Sequence, residues 1–254
     1  MGKSAKEQFG AYASAYVTSK KHAKGMDLNL LEQLVKGSEA TSLLDVATGG
    51  GHVAKKMAPY VKEIVAIDLT PEMLAVAEKH LDESGITNVQ FIEAPAEKLP
   101  FKESTFDFVV CRIAAHHFMN VAAFIAEAFR VLKPGGRFFL LDNVALEDDA
   151  CDHFYNELEY KRDGSHKRAY KKSEWLSMVE AVEFEIVQLH VFKKEFDFQD
   201  WTGRVQMKED VKKRLENWIF AQPLELKHAL NVEERRNNII RFKGQSILLE
   251  ALKP

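Results

Sequence analysis

Leu43-Leu44-Asp45-Val46-Ala47-Thr48-Gly49-Gly50-Gly51 is the stretch on which the fold turns. Ser42 to Ala47 is a short apolar run carrying one carboxylate, and it stops at a cluster of glycines. Such a run reads as a buried strand entering a glycine turn. A helix is expected to follow through Met57, with Pro59 marking its end. Upstream, Leu28, Leu31, Leu34 and Val35 share one helical face; Asp27 is placed to cap that helix and Gly37 to end it.

The same alternation recurs downstream. Ile64-Val65-Ala66-Ile67 is a second buried strand ending at Asp68. Thr70 and Pro71 then suit the cap and first turn of a helix whose apolar face is Met73, Leu74, Val76, Ala77 and Leu81. Val89–Ile92 and Phe106–Cys111 read as strands three and four. A helix with Val121, Phe124, Ile125, Ala128, Phe129 and Leu132 inward is broken by Pro134-Gly135-Gly136, and Phe138–Leu141 is strand five. Short buried strands separated by helices predict an α/β chain with a parallel sheet covered on both faces. Ligands in such sheets bind beyond the carboxyl ends of the strands. Asp45 to Gly51, Asp68, the segment after Ile92 and the segment after Cys111 should therefore converge on one crevice.

The last hundred residues read differently. Ser173–Val182 and Lys208–Phe220 are expected helices, Phe184–Phe198 a long strand and Gln245–Leu252 a final strand, with polar and aromatic insertions at 147–172 and 199–238. The expected organisation is one domain: an N-terminal helical cap (1–40), a ligand-binding core (41–145), and the remaining sheet with lid insertions (146–254). Phe154, Tyr155, Tyr160, Tyr170, Trp201 and Arg204 lie in those insertions. The basic pairs Lys161-Arg162, Lys167-Arg168 and Lys171-Lys172 are available to an anionic substrate, to membrane lipid headgroups or to solvent.

Composition excludes several classes. The 254 residues are 46% apolar and 29% charged, with a net charge of -3. That charge is no nucleic-acid footprint and no disordered acidic chain. The stretch Ile113–Ala126 is too short and too polar to span a membrane. Cys111 and Cys151 stand alone, which suits a reducing, cytoplasmic setting. The nine histidines are scattered without the spaced cysteine or carboxylate partners a metal site requires.

Chemistry concentrates around the glycine turn. Glycines let a backbone approach a ligand closely, and a helix start presents unpaired N–H groups. Such a loop could hold a dinucleotide phosphate or the amino-acid part of another cofactor. The G-x-G-x-x-G spacing is incomplete, since Ala54 takes the third position. Asp68 is placed to accept hydrogen bonds from the hydroxyls of an adenosine ribose.

Four blocks then occur in a telling order: Leu43 to Gly51, Asp68-Leu69-Thr70-Pro71-Glu72-Met73-Leu74, Ala96-Glu97-Lys98-Leu99-Pro100-Phe101, and Arg130-Val131-Leu132-Lys133-Pro134-Gly135-Gly136. Together they resemble the class I S-adenosylmethionine-dependent methyltransferases, in the branch of the UbiE-like quinone-biosynthesis C-methyltransferases. The resemblance covers about residues 40–145 well. It implies a Rossmann-like seven-stranded sheet of order 3-2-1-4-5-7-6 with the last strand antiparallel, 184–198 being the sixth. It implies S-adenosylmethionine as methyl donor and a small-molecule acceptor. Asp45 would orient the loop near the cofactor's amino group, and Thr48, Gly49 and Gly51 would follow its amino-acid part. Asp68 would bind the ribose; Leu69 and Met73 would face the adenine, and Ala96 its edge. Arg112 would lie near the methionyl end. Phe9, Tyr16 and His22 resemble the family's N-terminal cap, with Tyr16 toward the cofactor.

Two positions depart from the pattern. Ala47 stands where the family's loop has its first glycine. Pro95 stands where an aspartate commonly accepts from the adenine amino group, and Glu97 is the nearest carboxylate able to replace it. His116-His117 follows strand four, so either histidine could face the crevice and take a proton from an acceptor. The segment Cys111-Arg112-Ile113-Ala114-Ala115 lacks the Asn/Asp-Pro-Pro-Tyr signature of enzymes that methylate base or glutamine amino groups. The expectation is a methyltransferase, monomeric or homodimeric, that does not act on nucleic acid and has no stable membrane insertion. A non-catalytic S-adenosylmethionine binder and a nicotinamide-dependent oxidoreductase are the alternatives from other classes.

Overall fold

The computed structural model describes residues 25–236 and 238–254. Eight strands form one sheet: β1 Ser42–Val46, β2 Glu63–Asp68, β3 Val89–Glu93, β4 Phe106–Arg112, β5 Leu132–Val144, β6 Glu185–Asp197, β7 Glu233–Arg235 and β8 Asn238–Leu252. The order is β3-β2-β1-β4-β5-β8-β6, with β7 hairpinned onto β8. β8 runs antiparallel to both β5 and β6, while β1 to β5 pair in parallel. This is the expected topology, with β8 as the seventh strand of the pattern and β7 as a short addition. β8 starts well before Gln245 because Asn238–Lys243 continues the pairing as a ribbon with β7 and the end of β6. β5 likewise starts at Leu132: Gly135 and Gly136 exchange backbone bonds with Lys253 instead of ending a helix freely.

Nine helices are present among the described residues: α1 Met26–Val35, α2 His52–Met57, α3 Pro71–Asp82, α4 Val121–Val131, α5 Asp149–Arg162, α6 Lys172–Glu180, α7 Phe198–Gly203, α8 Glu209–Phe220 and α9 Leu224–Ala229. Strand periodicity sends alternate side chains to opposite faces. Leu44, Val46, Val109, Cys111, Phe138, Leu140 and Leu249 face α4 and α6 through Phe124, Ile125, Trp175 and Val179. Leu43, Val110, Phe139, Leu141 and Leu248 face α1 and α2 through Leu28, Leu31, Val53 and Met57. A third core joins Phe154, Tyr155 and Leu158 of α5 to Phe198, Trp201, Leu215, Ile219 and Phe242. The two insertions are thus largely helical, and most of their aromatics are packing residues.

Asp27 does not cap α1. Gly25 is the cap residue, in extended conformation, and Asp27 sits in the first turn. Its carboxylate instead receives the Arg112 guanidinium in two bonds, Nε to Oδ2 at 2.8 Å and NH2 to Oδ1 at 3.1 Å. A side chain at residue 25 would collide with that carboxylate, which explains the glycine. No helix among the described residues is long and apolar enough to cross a membrane.

Candidate active site

The carboxyl ends of β1, β2, β3, β4 and β5 open into one cavity of about 410 Å³. At β1 the chain leaves the sheet through Ala47, whose φ is +56°, and Gly49, whose φ is +54°. The left-handed conformation strains any residue with a Cβ, so Ala47 carries a cost of roughly 1 kcal/mol that the family's glycine avoids. At Gly49 an added Cβ would meet nothing within 4 Å and would project into open space. Thr48 lies between them and also lines the cavity.

Gly51 requires a correction. It does not line the cavity. It caps α2 with φ +76°, and a Cβ there would come 2.7 Å from Leu81 Cδ1 and 3.3 Å from Ala77 Cβ. Its smallness lets α2 lie against α3. Gly51→Ala is therefore expected to cost about 1–3 kcal/mol of stability, from backbone strain and overpacking together. Gly49→Ala carries only the strain. Urea unfolding of both variants checks this: the midpoint should fall further for Gly51→Ala.

Two carboxylates form the wall at β1 and β2. Asp45 is almost wholly buried. Its Oδ2 accepts from Thr48 Oγ1 at 2.6 Å and from Ala54 N at 3.2 Å. Burial pushes its pKa up to about 7, against those two bonds. Asp68 accepts from Gly49 N at 3.0 Å on one oxygen and from Thr70 N at 3.0 Å on the other. Burial raises its pKa too, the bonds from Gly49 and Thr70 offsetting only part of the desolvation. In both, burial outweighs the hydrogen bonds they accept. A ligand bringing hydroxyls and an ammonium group would stabilise them.

Leu69, Met73, Pro95, Ala96 and Glu97 line the same cavity at the β2 and β3 ends. Glu97 Oε1 accepts from Met119 N at 3.1 Å, so it braces the loop after β4. Arg112 lines the cavity also, with its guanidinium turned onto Asp27. Tyr16, Phe9 and His22 lie outside the described residues.

At the β4 and β5 ends stands a histidine cluster. His116 and His117 form one turn of 3-10 helix, Ala115–His117. Both line the cavity. His116 Nδ1 lies 2.6 Å from Asp142 Oδ1, and its backbone N donates to the other oxygen of the same carboxylate at 3.0 Å. Asp142 is buried. Burial works to raise its pKa, but His116 and two backbone N–H groups outweigh that and hold it lowered. A carboxylate on Nδ1 fixes the proton there and leaves Nε2 basic. Burial alone would lower the His116 pKa; Asp142 outweighs it, aided by Glu159 and Asp163, and the net direction is up. His117, beside it at 4.1 Å between ring centroids, moves well below the ordinary range through burial and the charge of His116. Its Nδ1 lies 3.2 Å from Ser165 Oγ.

Sequence reasoning missed the supporting shell. His166 stacks 5.6 Å from His116, bonds Asn156 Oδ1 through Nε2 at 2.9 Å, and is driven by burial to a pKa of about 3. Asp142 was discoverable, because it closes strand five where the crevice rule points; Glu159, Arg162 and Asp163 on and after α5 were not, since only tertiary packing brings them to the wall. Of the insertion residues, Trp201 and Arg204 line the cavity with Phe196. The basic pairs are mostly committed inside the chain: Arg168 to Asp152 and Glu174, Lys171 to Asp149, Lys172 to Glu147. No group of side chains suited to a metal ion occurs among the described residues.

Residues 44–140 match the Methyltransferase domain family. The uncharacterized methyltransferase YcgJ of Bacillus subtilis strain 168 is 34% identical over 246 residues, covering 96% of this chain and 97% of that one. Its crystal structure superposes with a TM-score of 0.86 over 91% of this chain and 99% of that one. The structure of BH2331 from Bacillus halodurans C-125 gives a TM-score of 0.88 at 45% identity, covering 91% of this chain and all of that one. The ubiquinone/menaquinone biosynthesis C-methyltransferase UbiE of Brucella canis is 33% identical over 122 residues, 46% of this chain and 45% of that one. With the strand order above, these matches show that the chain belongs to the class I S-adenosylmethionine-dependent methyltransferase family.

Proposed function

We propose that this chain methylates a carbon or oxygen of a small organic acceptor, with His116 taking the acceptor's proton. The observation that carries the reading is the buried His116–Asp142 pair set into the wall of the same cavity as Asp45 and Asp68.

The residues present fit S-adenosylmethionine. Asp68 at the end of β2 would hold the ribose hydroxyls; Asp45, lifted to about 7 by burial, would face the ammonium group. Gly49 leaves open space beside the loop for the amino-acid part. Leu69 and Met73 give apolar surface for the adenine, and Pro95 offers it no side-chain acceptor, so packing and the Ala96 backbone carry that end. When bound, the cofactor supplies an electrophilic methyl group on a sulfonium.

The chain's own residues do the rest. The crevice wall holds the acceptor in line, which is worth several kcal/mol of barrier, up to about 7–11 in well-oriented reactions. Phe118, Phe196 and Trp201 close the acceptor end to water. Asp142 keeps the Nδ1 proton in place and stabilises the imidazolium formed when Nε2 takes the acceptor's proton. General base catalysis of this kind contributes about 10²–10⁴-fold.

Two measurements test the reading. Incubation with methyl-labelled S-adenosylmethionine and a whole-cell extract should place label in the small-molecule fraction, and Asp142→Asn should slow it by about 10²–10⁴-fold. Label confined to protein or nucleic acid contradicts it. Second, the His116 imidazole should titrate above the ordinary histidine value by NMR, and drop in Asp142→Asn, where only the more distant Glu159 and Asp163 oppose burial. His116 therefore contributes stability below the unfolded histidine pKa, and that contribution is lost as pH rises through the folded one.

A further inference from the structure

A second cavity of about 210 Å³ joins the first at Arg112, Ile113, Asn143, Phe196 and Arg204. It lies between the start of α1 and the ends of β5, β6 and β8, and its wall includes Lys194 and Ser246. Strand register places its key side chains together. Asn143 of β5 pairs with Ser246 of β8, Ser246 pairs with Phe192 of β6, and Lys194 follows two residues later, so all four share one face.

Three donors converge there. Lys194 Nζ donates to Asn143 Oδ1 at 3.0 Å. That bond turns the Asn143 amide so that its Nδ2 hydrogens are directed away from Lys194, and among the described residues they meet no acceptor. Ser246 is 2% exposed, and its hydroxyl has no hydrogen-bond partner among the described residues. A buried unsatisfied hydroxyl costs roughly 1–3 kcal/mol unless a partner arrives. The charge has one sign in excess: Asp27 takes Arg112 and Glu195 takes Arg241, while among the described residues Lys194 has no carboxylate bonded to it. Burial lowers the Lys194 pKa, and Asp27 and Asp142, acting at a distance, only oppose that.

We propose that this second cavity is an anion subsite for the acceptor, in which Lys194 Nζ, Asn143 Nδ2 and the Ser246 hydroxyl hold a carboxylate or phosphate group. The acceptor's apolar body would pass Phe196 and Trp201 to reach His116. This names the substrate class within the proposed methyl-transfer reading and rests on it: an acidic molecule with its nucleophilic atom at one end and its anionic group at the other. Neutral acceptors would leave the Ser246 hydroxyl and the Lys194 charge unsatisfied, which is how such a site discriminates.

The test is calorimetry on full-length protein saturated with S-adenosylhomocysteine, titrated with benzoate, inorganic phosphate and sulfate, and with benzyl alcohol as neutral control. At least one anion should bind where benzyl alcohol does not. Its affinity should drop at least about tenfold in Lys194→Met and less steeply in Ser246→Ala, with the S-adenosylhomocysteine affinity unchanged in both. Benzoate over phosphate assigns a carboxylate, and the reverse assigns a phosphate. Should Lys194→Met not fold, Ser246→Ala decides. No anion bound, or equal anion affinity in wild type and variants, overturns the subsite. Failure of S-adenosylhomocysteine to bind counts against the methyltransferase reading alone, and the anion titration is then read on the unliganded protein.

Discussion

Arg112→Ala should destabilise the protein by about 3–5 kcal/mol, the usual consequence of removing one partner from a buried ion pair. The pair is well made: two bonds, with side-chain exposures of 5% and 8%. At about 2–4 °C per kcal/mol for a chain of this size, the melting temperature should fall by about 6–20 °C. Asp27→Asn/Arg112→Met should recover most of the loss, because no isolated charge remains. The pH dependence separates this from a simple cavity effect. In the wild type, burial works to raise the Asp27 pKa, but Arg112 outweighs it and the net shift is downward. The pair's contribution is therefore present above the unfolded carboxyl pKa and lost as pH falls through the folded one. In Arg112→Ala only Lys194 and the Leu28 backbone still oppose burial, the Asp27 pKa rises, and the deficit against wild type should shrink on acidification. A deficit independent of pH, followed by urea unfolding, would show that the charge is not what matters.

Asp68→Ala should weaken S-adenosylhomocysteine binding at least about 100-fold. Hydrogen bonds to a charged group are worth about 1.5–3 kcal/mol each, and two ribose hydroxyls bring two of them. The carboxylate has a second task, since it holds Gly49 N and Thr70 N and so ties the glycine loop to the start of α3. Asp68→Asn separates the two tasks. The amide keeps one acceptor oxygen, so its affinity should fall between wild type and Asp68→Ala. It also removes a carboxylate whose pKa burial has raised, so stability should not fall with affinity. Calorimetry and thermal melts on the three proteins read both quantities. Equal affinities would remove Asp68 from the site.

Much of this was legible in the sequence, for identifiable reasons. β1 to β4 are short, largely apolar runs of five to seven residues, and local patterning decides such elements. Asp45, Ala47, Thr48, Gly49, Asp68, Leu69, Met73, Pro95, Ala96, Glu97, Arg112, His116 and His117 all reach the cavity wall, because strand ends place them there whatever the details of packing. What failed depended on distant partners. Asp27 has the chemistry of a cap, yet Arg112, eighty-five positions away, claims its carboxylate. Gly51 sits within a ligand-loop pattern, yet its neighbours are Leu81 and Ala77 of α3. Lys194 and Ser246 lie in strands that read as plain sheet, and only the register of β5, β8 and β6 sets them beside Asn143.

The proposed role of the two buried carboxylates, Asp45 and Asp68, is to hold S-adenosylmethionine. It is tested most directly by titrating the purified protein with S-adenosylhomocysteine and, separately, with NADH in a calorimeter. The first should bind with micromolar affinity, weakened at least about 100-fold in Asp68→Ala, and the second should not bind. Binding of NADH without S-adenosylhomocysteine would contradict it.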